Sequence, residues 1–323
     1  MRAVCVIGLG LIGGSVLRAA SAAGRPAWGA TASEADATAA REAGFEALET
    51  DAALRRAKQE DALVVIAVPL PAVREVLRRI ADVHPGAWLT DVVSVKDPVD
   101  FEVRKLTPRV RYAGGHPMAG TSASGFAAAS ADLFRGAAWA VTIEEATTIE
   151  AWREAAELAL DCGAHVVPTG AAAHDDTVAR VSHLPHLFAA ILAAVGADGG
   201  PLALSLAAGS FRDGTRVAGS DPELVRAMTE GNKPALLDAV DDALGRLGAA
   251  RGSLASTGGL KSTLDAGYEA RRRLDALAGG EGTTTASVRL RPEALARLRD
   301  LGELGGRVTA IAEDHATTEV PVG

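Results

Sequence analysis

The chain lacks most of the features that would mark a specialised class. Only two cysteines, Cys5 and Cys162, occur in 323 residues. Both read as core thiols in a reducing compartment, which excludes a disulfide framework. Aromatic residues make up 4% against a hydrophobic content of 48%, so a core of the size available must be aliphatic and rich in alanine. The net charge is −8 and no basic cluster stands out, which argues against nucleic acid as a partner. No apolar run reads as long enough to cross a bilayer. The N-terminal stretch Met1-Arg2-Ala3-Val4-Cys5-Val6-Ile7-Gly8 reads as a first strand, not a signal peptide. The expectation is therefore a cytoplasmic protein with no membrane partner.

What is present is an alternation of strand and helix patterns. Ala3–Ile7 is a short continuous apolar run, as a strand buried on both faces requires. Further strands are expected at Ala27–Ala30, Ala62–Val68, Ala87–Val93, Val110–Ala113 and Trp139–Ile143, with His165–Thr169 closing the sheet. Helical patterns at Ile12–Ala23, Ala35–Ala43, Pro71–Ala81 and Glu150–Cys162 separate them. This predicts an α/β domain with a doubly wound, mostly parallel sheet over residues 1–170. From Ala171 to Arg273 the periodicity is helical throughout, so 171–280 reads as an all-helical domain. The flexible break Gly279-Gly280-Glu281-Gly282 introduces a small strand–helix–strand tail, 281–323.

Gly8-Leu9-Gly10-Leu11-Ile12-Gly13 matches G-x-G-x-x-G between the first strand and the first helix. In that context the glycines admit a tight turn, the approach of a pyrophosphate and close helix–strand packing, while the helix N-terminus faces the phosphates. Gly8, Gly10, Leu11, Ile12 and Gly13 are the expected dinucleotide contacts, with Val68 and Pro69 at the end of the clearest strand. An NAD site usually carries an acid after the second strand. Here the run is Gly29-Ala30-Thr31-Ala32-Ser33, so Thr31 and Ser33 replace it and tolerance of NADP beside NAD is expected.

About a hundred residues on, Gly114-Gly115-His116-Pro117-Met118-Ala119-Gly120 places a histidine in a turn where a strand stops. A group titrating near neutrality at the mouth of an α/β sheet suits removal of a hydroxyl proton as hydride leaves. Three more segments carry polar groups in apolar surroundings: Thr90-Asp91-Val92-Val93-Ser94-Val95-Lys96, Ser182-His183-Leu184-Pro185-His186 and Gly209-Ser210-Phe211-Arg212-Asp213-Gly214-Thr215-Arg216. Taken singly, each has a plain alternative. Ser94 would cap a helix, His183 and His186 would be core histidines, and Arg216 a surface arginine. No metal site is expected.

Together, GLGLIGGS, DVVSVK, GGHPMAG, SHLPH, FRDGTR and SDPELVRAMTEGN resemble the prephenate/arogenate dehydrogenase family, in the family's order and over residues 3 to about 250. The resemblance implies a Rossmann-like domain followed by a helical domain that forms a homodimer. It also implies oxidative decarboxylation of a 4-hydroxycyclohexadiene with hydride transfer to NAD or NADP. By the same resemblance His116 accepts the hydroxyl proton and Ser94 lies near the 4-hydroxyl and nicotinamide. Arg216 binds a substrate carboxylate, His186 lines the substrate site, and Asp213 orients the arginine loop, with Asn232 a further candidate.

The chain departs from the family pattern after HPMAG, where many members carry glutamate and this one reads Gly120-Thr121-Ser122. Thr121 and Ser122 would border the substrate side chain. Loss of the acid leans toward prephenate, with arogenate the alternative. A β-hydroxyacid-type dehydrogenase would need a lysine on the first helix of the second domain, and Ala171–Val195 has none. A nucleotide-sensing protein would have no use for His116, His186 and Arg216 together.

Overall fold

The computed structural model describes residues 1–121, 123–278 and 282–321. The first half alternates strand and helix, with a two-residue strand at Ala47–Leu48 and helices at Thr50–Gln59 and Asp97–Leu106 beyond the elements expected from the sequence. The strands are β1 (Val4–Ile7), β2 (Ala27–Ala30), β3 (Ala47–Leu48), β4 (Leu63–Ile66), β5 (Trp88–Asp91) and β6 (Arg111–Tyr112). The helices between them are α1 (Leu11–Ala22), α2 (Glu34–Glu42), α3 (Thr50–Gln59), α4 (Leu70–Val83) and α5 (Asp97–Leu106). All pairings are parallel, in the order β3-β2-β1-β4-β5-β6. The order reverses between β1 and β4, the crevice where doubly wound sheets bind ligands.

Apolar residues run unbroken in β1 because both faces are covered. Val4 and Val6 join a core with α1 and α2, while Cys5 and Ile7 join one with α3, α4 and α5. Burial pushes both cysteine thiols up to about 12, leaving them inert packing groups.

The second half of this region departs from expectation. β7 (Gly115–Pro117), β8 (Ala138–Thr142) and β9 (His165–Thr169) do not extend the first sheet; β9 follows helix α6 (Ile149–Asp161). They form a second, mixed sheet with strands from the end of the chain, in the order β10-β12-β11-β9-β8-β7. There β10 is Thr283–Arg289, β11 is Arg307–Ala312 and β12 is His315–Pro321. β9 therefore does not close the parallel sheet: it pairs with β8 on one side and with β11, antiparallel, on the other. The tail also has one strand more than the pattern showed, because β12 is a polar strand sandwiched between β10 and β11. Trp139, Val141, Trp152 and Val308 join this sheet and α6 to the α1 face of the first core.

Between the two halves lie the helices α7 (Ala171–Val178), α8 (Leu184–Asp198), α9 (Gly200–Ser205), α10 (Gly209–Thr215), α11 (Pro222–Gly231), α12 (Lys233–Ser256) and α13 (Lys261–Ala278). α14 (Ala294–Glu303) lies between β10 and β11. α7 and α8 form one continuous helix interrupted by a π turn at Ala179–His183. Pro185 explains the interruption, since it cannot donate a backbone hydrogen bond to the preceding turn. This helix, Ala171–Asp198, corrects one sequence expectation: a stretch of 18 residues within it has a mean hydropathy of 1.5, so by length and composition alone the helix could cross a bilayer. Its alanines escaped notice because His174, Asp175, His183 and His186 are distributed among them.

Candidate active site

Four chain segments carry the candidate groups. The first is the glycine loop. Gly8 has φ +106°, and a Cβ there would lie 2.4 Å from the Ala67 carbonyl oxygen. A Cβ on Gly13 would lie 1.9 Å from the Gly8 oxygen, so helix and loop touch directly. Gly10 is different, with open space where its Cβ would be. It precedes α1 without a side-chain cap, so the N–H groups of Leu11, Ile12 and Gly13 are left for a ligand. Val68 closes against Gly8 and Pro69 leads into α4. This open cradle fits the pyrophosphate of a dinucleotide.

Past β2, Thr31 Oγ1 accepts the Ser33 N–H at 3.2 Å, and Ser33 Oγ caps α2 by accepting the Asp36 N–H at 3.2 Å. Both hydroxyls keep their protons for donation. The first turn of α2 does carry two acids, but Asp36 accepts the Phe126 N–H at 2.8 Å and Glu34 pairs with Arg41 at 3.1 Å.

The second segment is the loop after β5. Ser94 is half-buried there and does not cap α5, whose N-terminus lies at Lys96 and is capped instead by the Asp175 carboxylate. Lys96 and Asp91 form an ion pair that is almost wholly shielded from solvent. Asp91 also accepts from the Tyr112 hydroxyl at 2.7 Å and the Val93 N–H at 2.8 Å. Burial pushes the Lys96 ammonium below its ordinary range, and Asp91 opposes the shift.

The third segment carries His116. It sits on the short strand β7, paired with Ala140, not in a turn as the glycine-rich sequence suggested. Gly115 permits the crossing from one sheet to the other, because a Cβ there would stand 2.6 Å from the Asp91 carbonyl oxygen. His116 Nδ1 lies 2.9 Å from His174 Nε2, and His174 Nδ1 lies 2.7 Å from Asp175 Oδ1. Burial pushes the His116 imidazole well below its usual pKa, reinforced by His174, Lys96 and His183. His116 is thus neutral at physiological pH.

The fourth segment runs from α8 to α11. His186 is half-buried, bonded to the Val217 backbone and close enough to Arg216 for the guanidinium to add to the burial that lowers its pKa. Arg216 is exposed, and among the described residues its guanidinium has no ion pair or hydrogen bond. The Asp213 carboxylate likewise has none among the described residues; Asp213 holds the loop through its backbone oxygen, which accepts the Arg216 N–H. Thr121 is exposed and accepts the Ala123 N–H at 3.2 Å. Ser122 lies outside the described residues. Asn232 is buried, and its amide donates to the Asp175 carbonyl at 2.7 Å and meets His183 Nδ1 at 3.2 Å.

The chain thus carries a glycine cradle, a histidine backed by a second histidine, and an arginine unpaired among the described residues. Residues 18–168 match the family model described as prephenate dehydrogenase, nucleotide-binding domain, and 170–257 match prephenate dehydrogenase, dimerization domain. The chain belongs to the prephenate dehydrogenase family. The Bacillus subtilis prephenate dehydrogenase is 35% identical over 249 residues, covering 74% of this chain and 66% of that protein. A Corynebacterium glutamicum structure described as a candidate prephenate dehydrogenase is 45% identical, with a TM-score of 0.82 over 85% of this chain and 89% of that one. The Synechocystis arogenate dehydrogenase structure is 29% identical, with a TM-score of 0.69 over 84% of this chain and 99% of that one. The nucleotide-binding match makes the cofactor a nicotinamide dinucleotide, and the dimerization match makes a homodimer the family's assembly.

The sequence reading missed His174, Asp175 and the Lys96–Asp91 pair. The signal was present. Lys96 and Asp91 bracket the quoted DVVSVK, and His174-Asp175 is a polar pair near the start of an apolar helix. Nothing local showed that Asp91 and Lys96 pair in the interior or that His174, backed by Asp175, faces His116.

Proposed function

We propose that the chain oxidises prephenate to 4-hydroxyphenylpyruvate, with His116 as the base. Family membership makes it a dehydrogenase of prephenate or arogenate, and the observation that carries the mechanism is His116 on β7, its Nδ1 2.9 Å from His174 Nε2. A nicotinamide bound on the Gly8–Gly13 loop supplies the hydride acceptor. His116 takes the proton of the 4-hydroxyl as that carbon becomes a carbonyl. Loss of the C1 carboxylate as carbon dioxide then aromatises the ring. Arg216, which has no ion pair or hydrogen bond among the described residues, binds a substrate carboxylate through its two-pronged guanidinium. His186 lines the same pocket, and Ser94 stands beside the 4-hydroxyl. Replacing His116 with Ala or Asn is expected to cost roughly 10²–10⁴-fold in kcat. Near-normal turnover would remove it from the mechanism.

Prephenate is preferred to arogenate because Thr121-Ser122 offers no carboxylate for an ammonium group. The likeness to the Synechocystis arogenate dehydrogenase keeps the second reading alive. NADP is accepted beside NAD, since Thr31 and Ser33 retain donors and both nearby acids are engaged. Initial rates with prephenate and arogenate, each with NAD and NADP, decide both points. A strong arogenate or strict NAD preference refutes the corresponding half. The protein works in the cytoplasm as a homodimer, with a small-molecule substrate and without nucleic acid or membrane.

A further inference from the structure

The His116–His174 contact carries more than proximity, because the groups behind it leave only one arrangement of protons. Asp175 Oδ1 accepts the Lys96 N–H at 2.8 Å and Oδ2 accepts the Asp97 N–H at 2.9 Å. A carboxylate with those donors has no proton to give, so His174 Nδ1, at 2.7 Å, must be the donor. His174 is buried, and burial lowers its pKa against the opposing pull of Asp175. The neutral ring therefore has a bare Nε2. That nitrogen can only accept, so His116 Nδ1, at 2.9 Å, must donate. The rings meet edge to face, with centroids 5.0 Å apart and planes at 70°. Asn232 braces the arrangement from behind by donating to the Asp175 carbonyl.

We propose that His174, backed by Asp175, is a positioning residue that holds His116 as its Nδ1–H tautomer and keeps His116 Nε2 free to accept the substrate proton. A histidine without this partner divides between two tautomers, and only one offers its lone pair at Nε2. When His116 takes the proton, its Nδ1–H bond to His174 becomes charge-assisted and strengthens. The device belongs to tertiary structure: His116 stands on β7, while the pair that orients it opens the helical segment.

The role rests on His116 being the base, and two measurements separate the two claims. The first is ¹⁵N NMR of the intact protein labelled at histidine, with the His116 signals identified by their loss in His116→Asn. The expected spectrum has a protonated Nδ1 and an unprotonated Nε2; a protonated Nε2 overturns the proposal. The second compares His174→Leu with His174→Gln. Leucine removes the acceptor, and glutamine replaces Nε2 with an amide oxygen at similar reach. His174→Leu is expected to lower kcat by about 10–100-fold, a part of what a positioned base contributes, with KM for the substrate within about threefold. His174→Gln should recover most of the loss. Full activity of the leucine variant, or a glutamine variant no better than leucine, overturns the proposal. Should His116→Ala keep its turnover, the base assignment fails while the NMR result still decides the tautomer. Should the leucine variant not fold, the wild-type spectrum alone decides.

Discussion

Lys96 Nζ donates to the carbonyl oxygen of Gly115 at 2.7 Å, one residue before His116, the proposed base. The same ammonium is paired with Asp91, so a buried ion pair ties the β5 loop to the start of the second sheet. Breaking such a pair from one side leaves an uncompensated buried charge. Asp91→Ala is expected to lose about 3–5 kcal/mol of stability, because Lys96, Tyr112 and the Val93 N–H all lose an acceptor. Urea unfolding followed by circular dichroism measures it; a loss under about 1 kcal/mol contradicts the account.

The pH dependence follows from the direction of the His116 shift. Neutral imidazole is the competent form, and burial with His174, Lys96 and His183 lowers its pKa from 6.5. Protonation therefore begins only at more acid pH than for an ordinary histidine. kcat/KM should stay flat from neutrality down through pH 6.5 and fall only below it. An acid limb centred at or above that value refutes the assignment.

Gly10 and Gly13 should respond differently to the same change. A Cβ at Gly13 collides with the Gly8 oxygen at 1.9 Å, so Gly13→Ala should lower both Tm and cofactor binding. A Cβ at Gly10 meets nothing within 4 Å, so Gly10→Ala should fold normally and raise KM for the dinucleotide alone. Thermal melts paired with cofactor titrations test the contrast; equal effects on Tm would mean that Gly10 is structural.

Arg216 is exposed and unpaired among the described residues, so Arg216→Ala should leave Tm unchanged. Its effect should appear in KM for the substrate, by about tenfold or more, since a charge-assisted contact is worth about 1.5–3 kcal/mol. A fall in kcat with KM unchanged would assign the arginine to the chemical step.

The parallel sheet was legible because its signals are local. β1, β2, β4 and β5 are short apolar runs bounded by glycine, proline or acidic residues, and their periodicity survives without knowledge of neighbours. The glycine loop and the His116, SHLPH and FRDGTR segments were legible for the same reason. The second sheet was not. β7 is three residues long and β12 is largely polar, and each is a strand only because a distant partner completes its hydrogen bonds. The π turn at Ala179–His183 was likewise hidden in a continuous helical pattern.

The sequence by itself determined the glycine loop, the strands β1, β2, β4 and β5 with helices α1, α2 and α4, and the residue types of the candidate site, all set by short-range sterics and periodicity. Tertiary structure alone decided that β9 joins the chain's last strands and that Asp175 and His174 stand behind His116. It also decided that Lys96 is buried against Asp91. These last relationships lower the pKa of His116, because desolvation and hydrogen bonding depend on which groups meet in space, and residues 91, 116 and 174 meet only once the chain has folded.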